Sequence, residues 1–246
     1  TRDIEDLLTD ESGRTVISKD GVSELTDQLW KDYQTFCRRD LSVYEVEYLF
    51  LDAVFESIRR QAGLKESILA AWAICRDGQR VLIHLALGNR ESHDCWLSFL
   101  RDLMKRGLRM PVLITSDGAP GLISAIEQVW PSSLRQRCLV HKKRNILAKV
   151  PFDAVADMRA YLDSVWYAPT FEAGREAAQI FIKTFEPLYP SAVACFKDDL
   201  DASLQHLKCP ATHRKAIRTT NLLERAFGEQ KRRTKTIPRF FTEKSC

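Results

Sequence analysis

Three short apolar runs follow one another in the first third of the chain: YLFLDAVF at 48 to 55, ILAAWAIC at 68 to 75 and RVLIHLAL at 80 to 87. Each has the length of a strand and is rich in residues that favour extended backbone. The RDGQ turn joins the second to the third, so the set predicts an antiparallel three-stranded meander. Runs this apolar need cover on both faces, and the next segments supply it. An amphipathic helix presents Trp96, Phe99, Leu100, Leu103 and Met104 on one side and stops at Gly107. The strand PVLITSD (111 to 117), a helix through LISAIEQVW (122 to 130), a short strand around RQRCLV (135 to 140) and a helix ending at Pro151 follow. A meander continued by alternating helix and strand predicts the α/β class, with a mixed sheet flanked by helices and its later strands parallel.

This core, residues 41–151, is flanked by regions of different rhythm. Residues 1–40 predict an N-terminal helical segment: two helices around a DESGRT turn, the second carrying Val22, Leu25, Leu29, Tyr33 and Phe36 at helical spacing behind a Ser18 cap. The pair fits a truncated helix-turn-helix and a plain helical hairpin equally well. Residues 152–213 predict an all-helical insertion, with turns around Pro169, Pro187 and Pro190. Residues 214–246 predict a basic helix returning to the core. The chain opens inside a helical pattern and stops at EKSC, which reads as a piece of something longer.

A chain of 246 residues, 45% hydrophobic and 28% charged, has ample material for a buried core. No apolar run approaches the roughly 18 residues of a membrane span, and no signal-peptide pattern is present, so a cytoplasmic, nucleoid-associated protein with no membrane partner is expected. The seven cysteines are scattered and never form a CxxC pair, which argues against a disulfide framework and for a reducing compartment. Net charge is +4, unevenly spread: residues 134 to 149 hold six Lys or Arg and no acid, and residues 213 to 239 hold nine against two Glu. Two separated basic segments suit one surface matched to phosphates, or two solvated helix faces.

Candidate chemistry begins at Asp52, a carboxylate inside an apolar strand. Left alone it would be costly, so it needs a hydrogen-bonded partner, an ion pair or a metal. Asp117 ends the strand PVLITSD, where α/β sheets present ligands, although an Asp before Gly118 is also an ordinary turn and capping residue. Two such carboxylates suit Mg²⁺, a hard ion that takes oxygen ligands. In NLLERAFGEQKRR, residues 221 to 233, helical spacing puts Leu222, Leu223, Ala226 and Phe227 toward the core, and Glu224 on a face with Gly228, Lys231 and Lys235. Gly228 leaves room there for a phosphate backbone. Glu229 falls among Arg225, Arg232 and Arg233, where salt bridges along the helix are expected. A capping box with Asn221 is the alternative role for Glu224.

With those pieces in order, the chain resembles bacterial insertion-sequence transposases of the Mutator type. The resemblance rests on YLFLDAVF, ALGNRESHDCWLSFLRDLMKRGL, LITSDGAPGLISAIEQVWP, QRCLVHKKRNILAKVP and RTTNLLERAFGEQKRRTKTIPRFF. It implies an RNase H-like catalytic core whose DDE triad, Asp52, Asp117 and Glu224, binds two Mg²⁺ or Mn²⁺ ions. The implied activity is metal-dependent hydrolysis at element ends followed by strand transfer of the 3′-hydroxyl into target DNA. It also marks Cys138 and His141 as the family's CxxH motif; with no second Cys/His pair well placed, no structural zinc is expected, and His141 is read as a phosphate contact. The three acids are expected to converge with no cationic side chain fully neutralising them in the metal-free state, their repulsion raising at least one pKa. Double-stranded DNA, as terminal repeats and target, would meet Cys138, His141, Lys142, Lys143, Arg144, Arg225, Lys231, Arg232, Arg233 and Lys235, with a homo-oligomer assembled on it. Two rival readings are an inactive transposase-derived DNA-binding protein and a nuclease that never joins.

Overall fold

The computed structural model describes residues 18–56, 66–88 and 92–234. Helix α1, Lys19–Arg38, starts where Ser18 accepts a hydrogen bond from the Gly21 N–H at 3.1 Å, which satisfies one of the orphan amides of the first turn. The helix is tied to the sheet by Tyr33, whose hydroxyl donates to the Leu85 carbonyl at 3.1 Å. Of its apolar stripe, Val22 is buried, whereas Leu25 and Leu29 are exposed. The preceding helix of the expected pair lies outside the described residues.

The sheet comprises β1 (Val46–Glu56), β2 (Glu66–Cys75), β3 (Arg80–Gly88), β4 (Leu113–Ser116) and β5 (Leu134–Arg137), in the order β3-β2-β1-β4-β5. The first three strands pair antiparallel, and β4 and β5 join parallel to β1. This is the mixed α/β sheet, with its later strands parallel, that the sequence predicts. Helices α2 (His93–Lys105) and α3 (Pro120–Val129) cover one face, packing Trp96, Phe99, Leu100, Leu103, Leu122 and Ile126 against Leu49, Leu51, Leu69, Ala71 and Ile83. Gly107, at φ +93°, ends the turn after α2, a conformation in which a side chain would be strained.

Two strand boundaries move from their expected positions. β4 ends at Ser116, leaving Asp117 in the loop beyond it. β5 ends at Arg137, and Cys138 caps α4 (Leu139–Leu147); Cys138, Leu139 and Val140 are thus not strand. Beyond α4, helices α5 (Val155–Trp166), α6 (Phe171–Phe185), α7 (Pro190–Lys197) and α8 (Leu200–Leu204) build their own core, in which Met158, Leu162, Trp166, Phe181, Phe185 and Phe196 meet Leu139 and Ile146 of α4. The chain then returns through α9 (Ala211–Ile217) to α10 (Asn221–Thr234), whose Leu223 joins Ile217 on the remaining face of the sheet against Tyr48, Phe50, Ala70 and Leu113. Among the described residues, the cysteines 37, 75, 95, 138, 195 and 209 are free, and no helix is long and apolar enough to cross a membrane.

Candidate active site

Strand periodicity decides which face carries the acids. In β1, Tyr48, Phe50 and Asp52 alternate onto the side covered by α9 and α10, and in β4 the same alternation runs through Leu113 and Thr115, with Asp117 next in the loop beyond the strand. Because Leu51 lies beside Ser116 in the parallel register, Asp52 and Asp117 fall at adjacent positions one residue on.

The segment joining α9 to α10 is stitched to these strand ends. Thr115 Oγ1 donates to the Ile217 carbonyl at 2.6 Å, the Leu139 N–H donates to the Arg218 carbonyl at 3.0 Å, and Thr220 donates to the Cys138 sulfur from its N–H and its hydroxyl, both at 3.4 Å. These links fix where α10 begins, and so place Glu224 in its first turn. There Glu224 Oε1 lies 3.1 Å from His141 Nε2, on α4. The Glu224 N–H bonds to the Thr220 carbonyl at 3.0 Å and Asn221 is already helical, so the capping box with Asn221 does not form.

Asp52 is 7% exposed, and its Oδ1 accepts from the Ala53 N–H at 2.9 Å. Burial pushes its pKa up to about 6; the neighbouring Asp117 charge acts in the same direction, while the Ala53 amide, the His141 charge and the Thr220 hydroxyl oppose it. Repulsion between the acids is therefore a secondary cause, and burial is the main one. Asp117 Oδ1 accepts from the Ala119 N–H at 3.0 Å. The Cys138 sulfur raises the His141 pKa most strongly, and the Asp52 and Glu224 carboxylates add to it against the cost of burial, bringing it to about 9. His141 is thus held toward its charged form beside the acids, one positive charge that does not fully neutralise three carboxylates.

All three acids offer carboxylate oxygens, which suits a hard divalent ion, and among the described residues no Lys or Arg is hydrogen-bonded to Asp52, Asp117 or Glu224. Among the described residues no three His, Cys, Asp or Glu side chains are grouped to hold an ion as they stand, and Glu224 is turned onto His141.

The residues read as DNA contacts divide. Arg144, Arg225 and Lys231 are exposed. Arg232 and Arg233 are exposed but pair with Glu229, as the helical spacing predicts. Lys143 pairs with Asp163. Cys138 is buried, and Lys142 is 1% exposed with its ammonium on the Asp198 carbonyl, so neither presents a surface to DNA. Lys142 shares the α4 stripe of Leu139 and Ile146, and that spacing was the available signal. Ala226 is exposed, whereas Leu222 and Phe227 are partly buried. Gly228 has open space where a side chain would project. Lys235 lies outside the described residues.

Arg137 is a site residue that motif reasoning missed. Its side chain is packed against Gly118, which sits at φ +84°, and a Cβ there would fall on the guanidinium. Arg137 is only 8% exposed, its Nε is buried without an acceptor, and among the described residues its side chain forms no hydrogen bond or ion pair.

A five-stranded mixed sheet with acids gathered at the carboxyl ends of two parallel strands defines an α/β protein with an acidic site. The chain belongs to the Mutator family of transposases, whose family model matches residues 1–246. It is 35% identical over 219 residues to the transposase for insertion sequence element IS6120 of Mycolicibacterium smegmatis, covering 89% of this chain and 68% of that protein. It is 36% identical over 168 residues to the transposase for element IST2 of Acidithiobacillus ferrooxidans, covering 68% and 57%. With the transposase for IS256 in transposon Tn4001 of Staphylococcus aureus it shares 31% identity, covering 100% and 63%. The chain thus spans about two-thirds or less of the length of these relatives.

Proposed function

We propose that this chain is the catalytic core of a DNA transposase in which Asp52, Asp117 and Glu224 hold the divalent ions and cut and rejoin phosphodiesters. The observation that carries the reading is Asp52: a carboxylate buried at the heart of the sheet, beside Asp117, with no Lys or Arg hydrogen-bonded to it. Such a carboxylate is costly to keep charged even with the Ala53 amide and the Thr220 hydroxyl bonded to it, and a divalent ion would offset that cost. When bound, a pair of Mg²⁺ or Mn²⁺ ions activates the attacking oxygen and stabilises the leaving oxygen of an in-line displacement.

The chain's own residues supply position and charge. The stitches between Cys138, Thr220 and Thr115 hold the first turn of α10 beside the strand ends. His141 donates from Nε2 to Glu224 and keeps that acid aimed at the site. His141 is itself 21% exposed, so the same imidazolium can face the phosphodiester. In the first reaction the oxygen of water bonds to phosphorus, the P–O3′ bond breaks, and the departing oxygen takes a proton to become a 3′-hydroxyl, leaving a 5′-phosphate. In the second, that hydroxyl oxygen bonds to a target phosphorus and releases the target's own 3′-hydroxyl. No covalent link to the protein is needed.

The test is incubation of the full-length protein with Mg²⁺ or Mn²⁺ and labelled element-end DNA. Cleaved and strand-joined products are expected together. Cleavage without joining would reduce the reading to a nuclease, and binding without either would leave a DNA-binding protein.

A further inference from the structure

A second feature lies on the other side of α10 from His141. Between α9, α10 and the start of β3 is a recess of about 270 Å³ lined by Arg80, Lys215, Ala216, Thr219, Asn221, Leu222 and Arg225. Its three cations come from three separate stretches of chain, and no acid lines it. Each is exposed, and among the described residues none has an ion-pair or hydrogen-bond partner for its charged group.

Several cations of the basic segments are held elsewhere. Arg135 is held by Asp199, Lys142 by the Asp198 carbonyl, Lys143 by Asp163, and Arg232 and Arg233 by Glu229. Arg214 donates to the Cys209 and Pro169 carbonyls at 3.0 and 2.8 Å. Bringing three unpaired cations to one concave place costs mutual repulsion, which an anion offsets. Thr219 and Asn221 add neutral donor groups, and the recess opens at the first turn of α10, where free amides and the helix dipole favour negative charge.

The position bears on the site already described and rests on the DNA reading given for it. Arg80 pairs across the sheet with Ile74, and Ile74 with Tyr48. Tyr48 precedes Asp52 by four strand residues, a displacement of roughly 13 Å along the strand. A duplex whose scissile phosphate lies at Asp52 and Asp117 would have phosphates about two nucleotides away near this recess. Arg80 and Lys215 belong to none of the motifs that carry the family resemblance.

We infer that the recess formed by Arg80, Lys215 and Arg225 binds a backbone phosphate of the DNA flanking the scissile position, fixing the duplex across α10 without reading its sequence. Such contacts release counterions, so each lowers the steepness of the dependence of log Kobs on log salt by about 0.9 when it is lost. Duplex binding is measured over a range of salt, without added metal, for the full-length protein and for Arg80→Ala/Lys215→Ala. The double variant is expected to have a slope shallower by roughly 0.9, the loss of one phosphate contact, with affinity lost equally for unrelated duplexes. Lys183→Ala, which removes an exposed cation of α6, is expected to keep the wild-type slope, and Arg80→Lys/Lys215→Arg to restore it.

A wild-type slope in the double variant would overturn the inference while leaving the catalytic reading standing. Failure of the wild-type protein to bind duplex at all would sink the DNA reading and this inference with it. Inorganic phosphate binding, measured by calorimetry, forms a separate arm. If the double variant loses phosphate binding but keeps its duplex slope, the recess holds a free anion and the DNA assignment is overturned. All the substituted side chains are exposed, so a folded variant is expected, checked by an unchanged melting temperature.

Discussion

Where the helical cluster meets β5, Arg135 grips Asp199 through two guanidinium nitrogens, Lys143 pairs with Asp163, and the buried His206 sets Nε2 2.9 Å from the Trp166 carbonyl and Nδ1 3.1 Å from Gln136 Oε1. Around Asp52 of β1 and the carboxyl ends of β4 and β5, among the described residues, Asp52 is buried with no Lys or Arg hydrogen-bonded to it, Arg137 Nε has no acceptor, and Ser116 Oγ has no partner. Both regions bury ionisable groups, but the first pairs its ions internally and the second leaves them facing one another. Paired groups hold a fold together. Groups left short are tolerated where a ligand completes them.

The largest effect that could break this contrast is on catalysis. Asp52→Asn and Glu224→Gln are each expected to slow cleavage and joining by at least about 10³-fold, the scale of removing a dedicated charge-stabilising group. DNA affinity should stay near wild type, since neither change removes a cation. Asp52→Asn is also expected to stabilise the metal-free protein toward urea, because it removes a carboxylate whose burial cost outweighs the help of its neighbours. A variant that is destabilised would show that Asp52 is satisfied as an ordinary core acid.

The two regions should also answer acid with opposite sign. Burial lowers the His206 pKa to about 4, with the Arg218 and Arg214 charges assisting and the Trp166 carbonyl opposing. The unfolded chain therefore takes up that proton first as pH falls below about 6.5, and stability present above that value is lost toward pH 4, by about 3 kcal/mol in the limit. Asp52 behaves the other way. Its folded pKa of about 6 lies above the unfolded value, so the folded state binds the proton more tightly and gains stability as pH falls from 6 toward 4. Urea midpoints between pH 7 and 4 should fall more steeply for Asp52→Asn than for wild type. Parallel curves would remove the asymmetry.

How much of this was legible beforehand follows from the range of each interaction. The meander and the two covering helices rest on local patterns, such as the alternation through Tyr48, Phe50 and Asp52, and emerge close to their expected bounds. The end of β5 did not, because CLV in RQRCLV is as apolar as a strand yet serves as cap and first turn of α4. The contact of His141 with Glu224, and that of Cys138 with Thr220, join residues some 80 positions apart, and no periodicity in either segment records them. Arg137 is hidden for the same reason. Its environment is made by Gly118, a turn glycine whose second function, leaving space for a guanidinium, does not show in its own neighbourhood.

That space can be tested. Gly118→Ala adds a Cβ at φ +84° onto the Arg137 side chain, costing backbone strain on the order of 1–3 kcal/mol and displacing the arginine from beside Asp117. A melting temperature lowered by several degrees is expected, with cleavage reduced more than DNA affinity. An alanine variant of wild-type stability would show that neither the conformation nor the packing constrains this turn.

The smallest expected effect concerns the second glutamate of α10. Glu224 and Glu229 stand on one helix, separated by little more than a turn, yet they belong to the two kinds of environment compared above. Glu224 faces His141 and the buried acids, while Glu229 bonds Arg233 at 2.9 Å and also pairs with Arg232, both of which are well exposed. Surface pairs of this kind contribute only about 0–1 kcal/mol, since water screens them and ordering two long side chains costs entropy. Glu229→Gln should therefore keep cleavage and joining within about twofold of wild type and alter stability by no more than roughly 0.5 kcal/mol. It frees two arginines, so duplex affinity at low salt should rise slightly, an effect that fades as ionic strength increases. Loss of cleavage in Glu229→Gln with retention in Glu224→Gln would transfer the third acid's role to Glu229 and show that α10 turns its other flank to the site.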